Sequence, residues 1–260
     1  IIVTPDAPLL VSASFVLYCL AKAWQTGRGI WWIGVGVAVG CGLLSKYTAF
    51  FFGAQILLWL LIVKDLRRWF ASPWPYLGGL VAFAVFSPVI LWNADHQWVS
   101  FIKQLGRARV DGLSLKYLGE LLPAQFAFAT PSVFILGVLG LVAIARRKVA
   151  AAAGPALISI SIWTLLLYFT WHSLHSRVEA NWLGPVYPAF AIAAAVAAWD
   201  TQWSARTQRL AVASRRWALP IGAALFVVLV VQANTGLFTG FRRDATMRSV
   251  GAGWPQLARD

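Results

Sequence analysis

The chain has 260 residues, of which 60% are hydrophobic and 12% charged, with 15 Trp and a mean hydropathy of +0.70. A soluble domain carries about 45–50% apolar and about 25% charged residues, so this composition excludes an ordinary soluble enzyme, a disordered chain, a collagen and a disulfide-stapled secreted module. The net charge is +13, from 22 Lys+Arg against 9 Asp+Glu, but the basic residues fall between long apolar runs, where they read as membrane flanks and not as a nucleic-acid surface.

In chain order, apolar runs near membrane length predict about eight spans: 7–21, 29–44, 47–63, 76–93, 130–145, 155–171, 183–199 and 217–233. Several fall short of the roughly 20 residues that cross a bilayer, and flanking Trp and Tyr extend them. The stretch 29–63 is too long for one span. At about 1.5 Å per residue it would reach roughly 50 Å, against a hydrocarbon core of about 30 Å. Gly40, Gly42, Ser45 and Lys46 mark the expected turning point. Cys19 and Cys41 lie inside apolar runs and read as small buried hydrophobes, not as a disulfide or a metal pair. The segment 117–130 (YLGELLPAQFAFAT) is too short and interrupted to span, and reads as an amphipathic helix lying along the interface. The expected fold is all-α: a polytopic transmembrane bundle over 1–233, followed by an extracytoplasmic tail over 234–260. The chain opens on Ile1-Ile2-Val3, without Met or signal peptide and almost directly at a span, so it is expected to be part of a longer protein.

Orientation follows from the basic residues. The loops 22–28, 64–75, 146–154 and 200–216 hold twelve Lys/Arg in 45 residues, whereas the opposite side holds ten in 82. Long loops count little in this rule, and the short ones on that side contribute only Lys46 and Arg177. The first set is therefore expected to be cytoplasmic. Both ends of the chain and the long 94–129 loop then face outward.

None of the eight segments contains Asp, Glu, Lys, Arg or His, the groups that ion-coupled transporters and proton relays place inside the membrane. No internal repeat suggests a two-fold transporter scaffold. The polar groups gather at the outer ends of spans instead: Asp6, Lys46, the Asn93-Ala94-Asp95-His96 group, and His172 through Asn181. Acids, bases and imidazoles at one membrane surface suit an enzyme acting on a lipid-borne substrate. Each has a plainer reading. Asp6 or Thr4 could cap the first helix, and Lys46 could be a snorkelling lysine. His96 and Asp95 could be solvated, and Arg177, Glu179 and Asn181 could be incidental to a Trp182 anchor. No nucleotide-binding glycine motif or metal-ligand spacing is present. A transporter or lipid flippase and a non-catalytic membrane subunit are the competing classes.

Four motifs in register, TPDAPLL, GLLSKYTAFFF, ILWNADHQWVSFIKQLG and VEANWLGPVYPAF, resemble the bacterial dolichyl-phosphate-mannose-protein mannosyltransferase-like glycosyltransferases (glycosyltransferase family 39), similar to the lipid A aminoarabinose and galacturonic acid transferases. The resemblance implies a GT-C fold in the bacterial plasma membrane with an extracytoplasmic active site. It also implies transfer from a polyprenyl-phosphate-linked sugar to a lipid or protein acceptor, with a divalent metal ion left open as cofactor. By position, Asp6 matches the acidic residue of the family's second outer loop and is the catalytic candidate. Lys46 matches the SK position and is the candidate contact to the donor phosphate. His96, Asp95, Arg177, Glu179 and Asn181 are substrate or metal candidates. The family's first outer loop, with an Asp-Glu pair that is expected to include the catalytic acid, would lie upstream of Ile1, which implies that this chain holds only part of an active site.

Overall fold

The computed structural model describes residues 4–107, 112–146, 152–200, 202–235 and 237. Among these residues the chain is helical without a strand, a polytopic helical bundle as expected. The α-helices are α1 Asp6–Thr26, α2 Trp31–Ser45, α3 Phe50–Ile62, α4 Pro73–Asp95, α5 Val99–Arg107, α6 Lys116–Phe128, α7 Pro131–Arg146, α8 Ala153–Ser173, α9 Tyr187–Trp199 and α10 Ala205–Thr235. Short 3₁₀ segments at Tyr47–Ala49, Lys64–Ala71 and Ala180–Val186 precede or follow them.

Local chemistry sets several ends. Gly27, at φ 66°, closes α1 through a backbone N–H bond to the Ala23 carbonyl, a left-handed stop that glycine adopts at little cost. At α4 the Ser72 hydroxyl accepts from the Trp74 N–H, and Pro73 occupies the first helical position, where its missing N–H is harmless.

Five segments are long and apolar enough to cross a membrane: α1, α4, α8, Ala180–Trp199 and the Ala205–Gln232 part of α10. Two bent pairs raise the number to seven, Tyr47–Ile62 with Lys64–Ala71 (115°) and α6 with α7 (104°). The expected span at 29–44 is α2, only 15 residues long and about 22 Å at helical rise. Hydropathy alone did not show how short it is. The expected break between 29–44 and 47–63 does occur, with Lys46 extended between α2 and the next turn. Gly40 and Gly42, however, do not form that break. They lie inside α2, where a side chain at Gly40 would strike Val85 of α4 and one at Gly42 would press on Phe52 and Ala49.

Small residues set how closely the helices pack. A Cβ at Gly36 would fall on the backbone of Gly78, and one at Gly140 on the carbonyl of Ala193. The α2–α4 and α7–α9 pairs therefore touch backbone to backbone, the close approach that small residues permit between helices in lipid. Buried polar side chains stitch α3 to α8. The Trp59 indole donates to the Ala153 carbonyl at 2.7 Å, and the Gln55 amide donates to the Ser161 carbonyl at 3.1 Å. Cys19 is buried as expected. Cys41 is not: it lies on the exposed side of α2, because an apolar run says nothing about which side faces lipid. Neither is in a disulfide.

The expected interfacial helix at 117–130 is α6, which turns sharply into α7 at Thr130, a β-branched residue at φ 61°. The last expected span, 217–233, is the C-terminal part of a longer helix. α10 begins at Ala205, so most of the expected basic loop 200–216 is helical. Arg and Gln favour helix as well as apolar residues do, while hydropathy registers only the apolar part. Residues 147–151 of the expected 146–154 loop, residues 108–111 of the 94–129 loop and all but a few residues of the 234–260 tail lie outside the described residues.

Candidate functional site

The start of α1, the end of α2, the Ala180–Val186 turn and the ends of α4 and α5 meet at one end of the bundle. There they border an open cavity of about 500 Å³, lined by Asp6, Lys46, Tyr47, Gln104 and Asn181 among others. A second pocket of about 180 Å³ shares Lys46, Tyr47 and Gln104, and is closed by Tyr168, His172 and Trp182. Consecutive spans run in alternate directions, so polar residues at span ends far apart in sequence come together here.

Asp6 is the first residue of α1, but the cap position belongs to Pro5 and no side chain caps the helix. The capping reading of Asp6 and Thr4 is therefore set aside. The carboxylate points into the cavity instead. Its Oδ1 accepts from Lys46 Nζ at 2.7 Å and its Oδ2 from Asn181 Nδ2 at 2.8 Å. The Lys46 and Asp6 side chains are 21% and 23% exposed, open to the cavity without being free in solvent. A carboxylate offers about four lone-pair positions and an ammonium three N–H donors, so capacity on both remains for a ligand.

Lys46 owes its place to the extended backbone at that residue, and the next residue anchors the turn. The Tyr47 hydroxyl is 2.7 Å from Ser100 Oγ, and that hydroxyl donates to Asn93 Oδ1 at 2.6 Å. Asn93 is fully buried and donates to the Val89 carbonyl, while the Tyr47 ring stacks on Phe101 at 5.0 Å. Asn181 is held from the other side. Gln125 of α6 donates to the Ala180 carbonyl and accepts from the Tyr187 hydroxyl, pinning both ends of the turn that carries Asn181.

The structure thus unites three of the sequence-derived candidates, Asp6, Lys46 and Asn181, and separates the others from them. Asp95 and His96 do not line the cavity. His96 stacks on Trp92 at 4.1 Å and pairs its Nδ1 with the Trp92 carbonyl. Arg177 and Glu179 form an exposed ion-pair group with Glu120 of α6, at 3.5 and 3.8 Å from the guanidinium. Trp182, expected beside Glu179, turns away from it into the smaller pocket against Phe169 and His172. Sequence reasoning missed Tyr47, Gln104 and Tyr168, and placed His172 in the outer polar group without a role of its own. Tyr47 adjoins Lys46 and could have been suspected from that alone; Gln104 carries no local signal. Among the described residues no three of His, Cys, Asp or Glu gather to hold a metal ion.

Residues 1–92 match the family model described as dolichyl-phosphate-mannose-protein mannosyltransferase. The matched region covers α1 to most of α4 and contains Asp6 and Lys46, and it supports a membrane glycosyltransferase of the GT-C kind. No curated protein and no solved structure matches the chain.

Proposed function

We propose that the protein moves a sugar from a polyprenyl-phosphate donor to a lipid or protein acceptor at the extracytoplasmic face of a bacterial plasma membrane. One observation carries this reading: the Asp6–Lys46–Asn181 cluster, which faces a cavity at the ends of apolar helices. A donor anchored by its lipid tail holds its phosphate at headgroup depth, and such a cavity meets it there.

In the proposed reaction the acceptor hydroxyl oxygen bonds to the anomeric carbon as the bond from that carbon to the phosphate oxygen breaks. The hydroxyl proton passes to a carboxylate, and the polyprenyl phosphate departs with the bonding pair. Asp6 is the one carboxylate among the residues lining the cavity and takes the role of base. Lys46, with two N–H donors left after Asp6, stabilises charge on the departing phosphate. The aromatic walls of the smaller pocket, Tyr168 and Trp182, suit the faces of a sugar ring. Among the described residues Asp6 is the one carboxylate at the cavity and already faces an ammonium at 2.7 Å, so these residues by themselves do not fit a divalent cation.

The test is transfer by the purified full-length protein from a polyprenyl-phosphate sugar. Lys46→Gln removes a charge-assisted contact worth about 1.5–3 kcal/mol, so donor use should fall roughly 10–100-fold in kcat/KM, with Lys46→Arg recovering part of the loss. Wild-type kinetics for Lys46→Gln would remove Lys46 from the site. Orientation is checked by labelling single-cysteine variants in sealed cells with an impermeant thiol reagent. Gly112→Cys should react from outside and Arg67→Cys only after the membrane is opened; the reverse pattern would invert the proposed topology.

A further inference from the structure

α10 has 31 residues, or about 46 Å of helix, against a hydrocarbon core of about 30 Å. Its apolar part from Trp217 onward is nearly enough to fill that core, so the stretch carrying Arg206, Arg209, Arg215 and Arg216 rises into the headgroup layer. Within that stretch, Arg209, Val212, Ala213, Arg216 and Trp217 fall on one face and, with Gln208, line a groove of about 360 Å³. Two of the arginines at this end are already engaged elsewhere: Arg215 sits 4.8 Å over the Trp199 ring, and Arg146 sits 5.8 Å over Trp203. Arg209 and Arg216 are exposed and make no ion pair among the described residues. α10 itself contains no acidic residue. Beside them the Gln208 amide oxygen is buried without a hydrogen-bond partner.

From this placement we propose that the groove on α10 binds the headgroup of an anionic phospholipid. Arg209 and Arg216 take the phosphate, which lies over Val212 and Ala213 between them, and the Trp217 indole marks the boundary beyond which the glycerol and acyl chains follow the apolar part of the helix. Gln208 offers a partner to a headgroup hydroxyl. The cations are two helical turns apart, about 10.5 Å along the axis, close enough for two long side chains to converge on one headgroup between them. Each juxtamembrane cation strengthens attraction to anionic lipid by about fivefold, and here two of them border one groove. The site is independent of sugar transfer, because it needs neither the cavity at Asp6 nor a donor.

The experiment is native mass spectrometry of the purified full-length protein, titrated in mixed micelles of phosphatidylcholine with phosphatidylglycerol. The expected result is retained phosphatidylglycerol whose apparent affinity falls roughly fivefold for each arginine lost, about 25-fold for Arg209→Gln with Arg216→Gln. The charge-matched control, Arg28→Gln with Lys64→Gln, should leave it within about twofold of wild type. An equal fall in the control would mean diffuse charge attraction and would overturn the site, as would retention of inorganic phosphate but not of the lipid. If the double glutamine variant does not fold, Arg209→Lys with Arg216→Lys is read against salt. Binding that ignores both the substitution and ionic strength would equally sink the proposal.

Discussion

Asp6→Asn is expected to slow sugar transfer by about 10²–10⁴-fold while the protein is made, inserted and melts close to wild type. The expectation rests on where the carboxylate points. It makes no capping bond to α1; both of its oxygens receive hydrogen bonds from residues on other elements, Lys46 and Asn181. Asparagine is nearly isosteric, so the substitution removes the charge with little change of shape; its NH2 replaces one acceptor, which Asn181 accommodates by turning its own amide oxygen toward residue 6. It leaves the Lys46 ammonium facing an amide and removes the proton acceptor of the proposed reaction. The kinetic split separates the two effects. A base lost from the transition state lowers kcat, whereas a Lys46 that has merely lost its positioning partner raises KM for the donor. An Asp6→Asn enzyme within a few-fold of wild type in both would return Asp6 to a structural role.

Gly140→Val is expected to produce a large loss of stability, lowering the melting temperature by roughly 2–12 °C in a fixed detergent. A side chain at Gly140 would meet the carbonyl of Ala193 on α9, and neighbouring Gly137 faces the Phe190 ring in the same seam. Backbone cannot rotate away as a side chain can, so the two helices would have to separate. Gly53→Val on α3 is the matched control, because nothing lies within 4 Å of where its Cβ would be. Equal melting of the two variants would mean that the α7–α9 seam is loose enough to open without cost.

These two cases show what the sequence made legible and what it hid. The helical membrane fold was readable because every span must close its backbone hydrogen bonds internally and therefore be long and apolar. The positions of Asp6 and Lys46 were readable too, since a charge at the end of an apolar run stands out against its surroundings. Their contact was not readable. It depends on which span ends become neighbours, and that is decided by seams such as Gly36 on Gly78, which composition does not reveal. The same limit explains Gly40 and Gly42: glycine marks a turn and a close helix contact equally well, and only the partner helix tells them apart. The bend at Thr130 and the left-handed pair Gln97 and Trp98 leave no signal at all, because these residue types rarely adopt positive φ. Glu179 and Trp182 stand three positions apart, yet the Ala180–Val186 turn sends their side chains to different surfaces.

The hydrogen bond between Asp6 and Asn181 joins residues 175 positions apart, and that separation has a consequence in time. Synthesis at about 5–20 residues per second places roughly 9–35 s between the two residues leaving the ribosome. For most of that interval, once Lys46 has followed Asp6 by 40 residues, the nascent chain has α1 and α2 and both side chains without the turn that completes the cavity. A chain halted or cleaved before Asn181 therefore holds the Asp6 and Lys46 side chains without the third wall of the cavity they line. The cavity is completed late, when the Ala180–Val186 turn brings Asn181 to Asp6 at the start of α1.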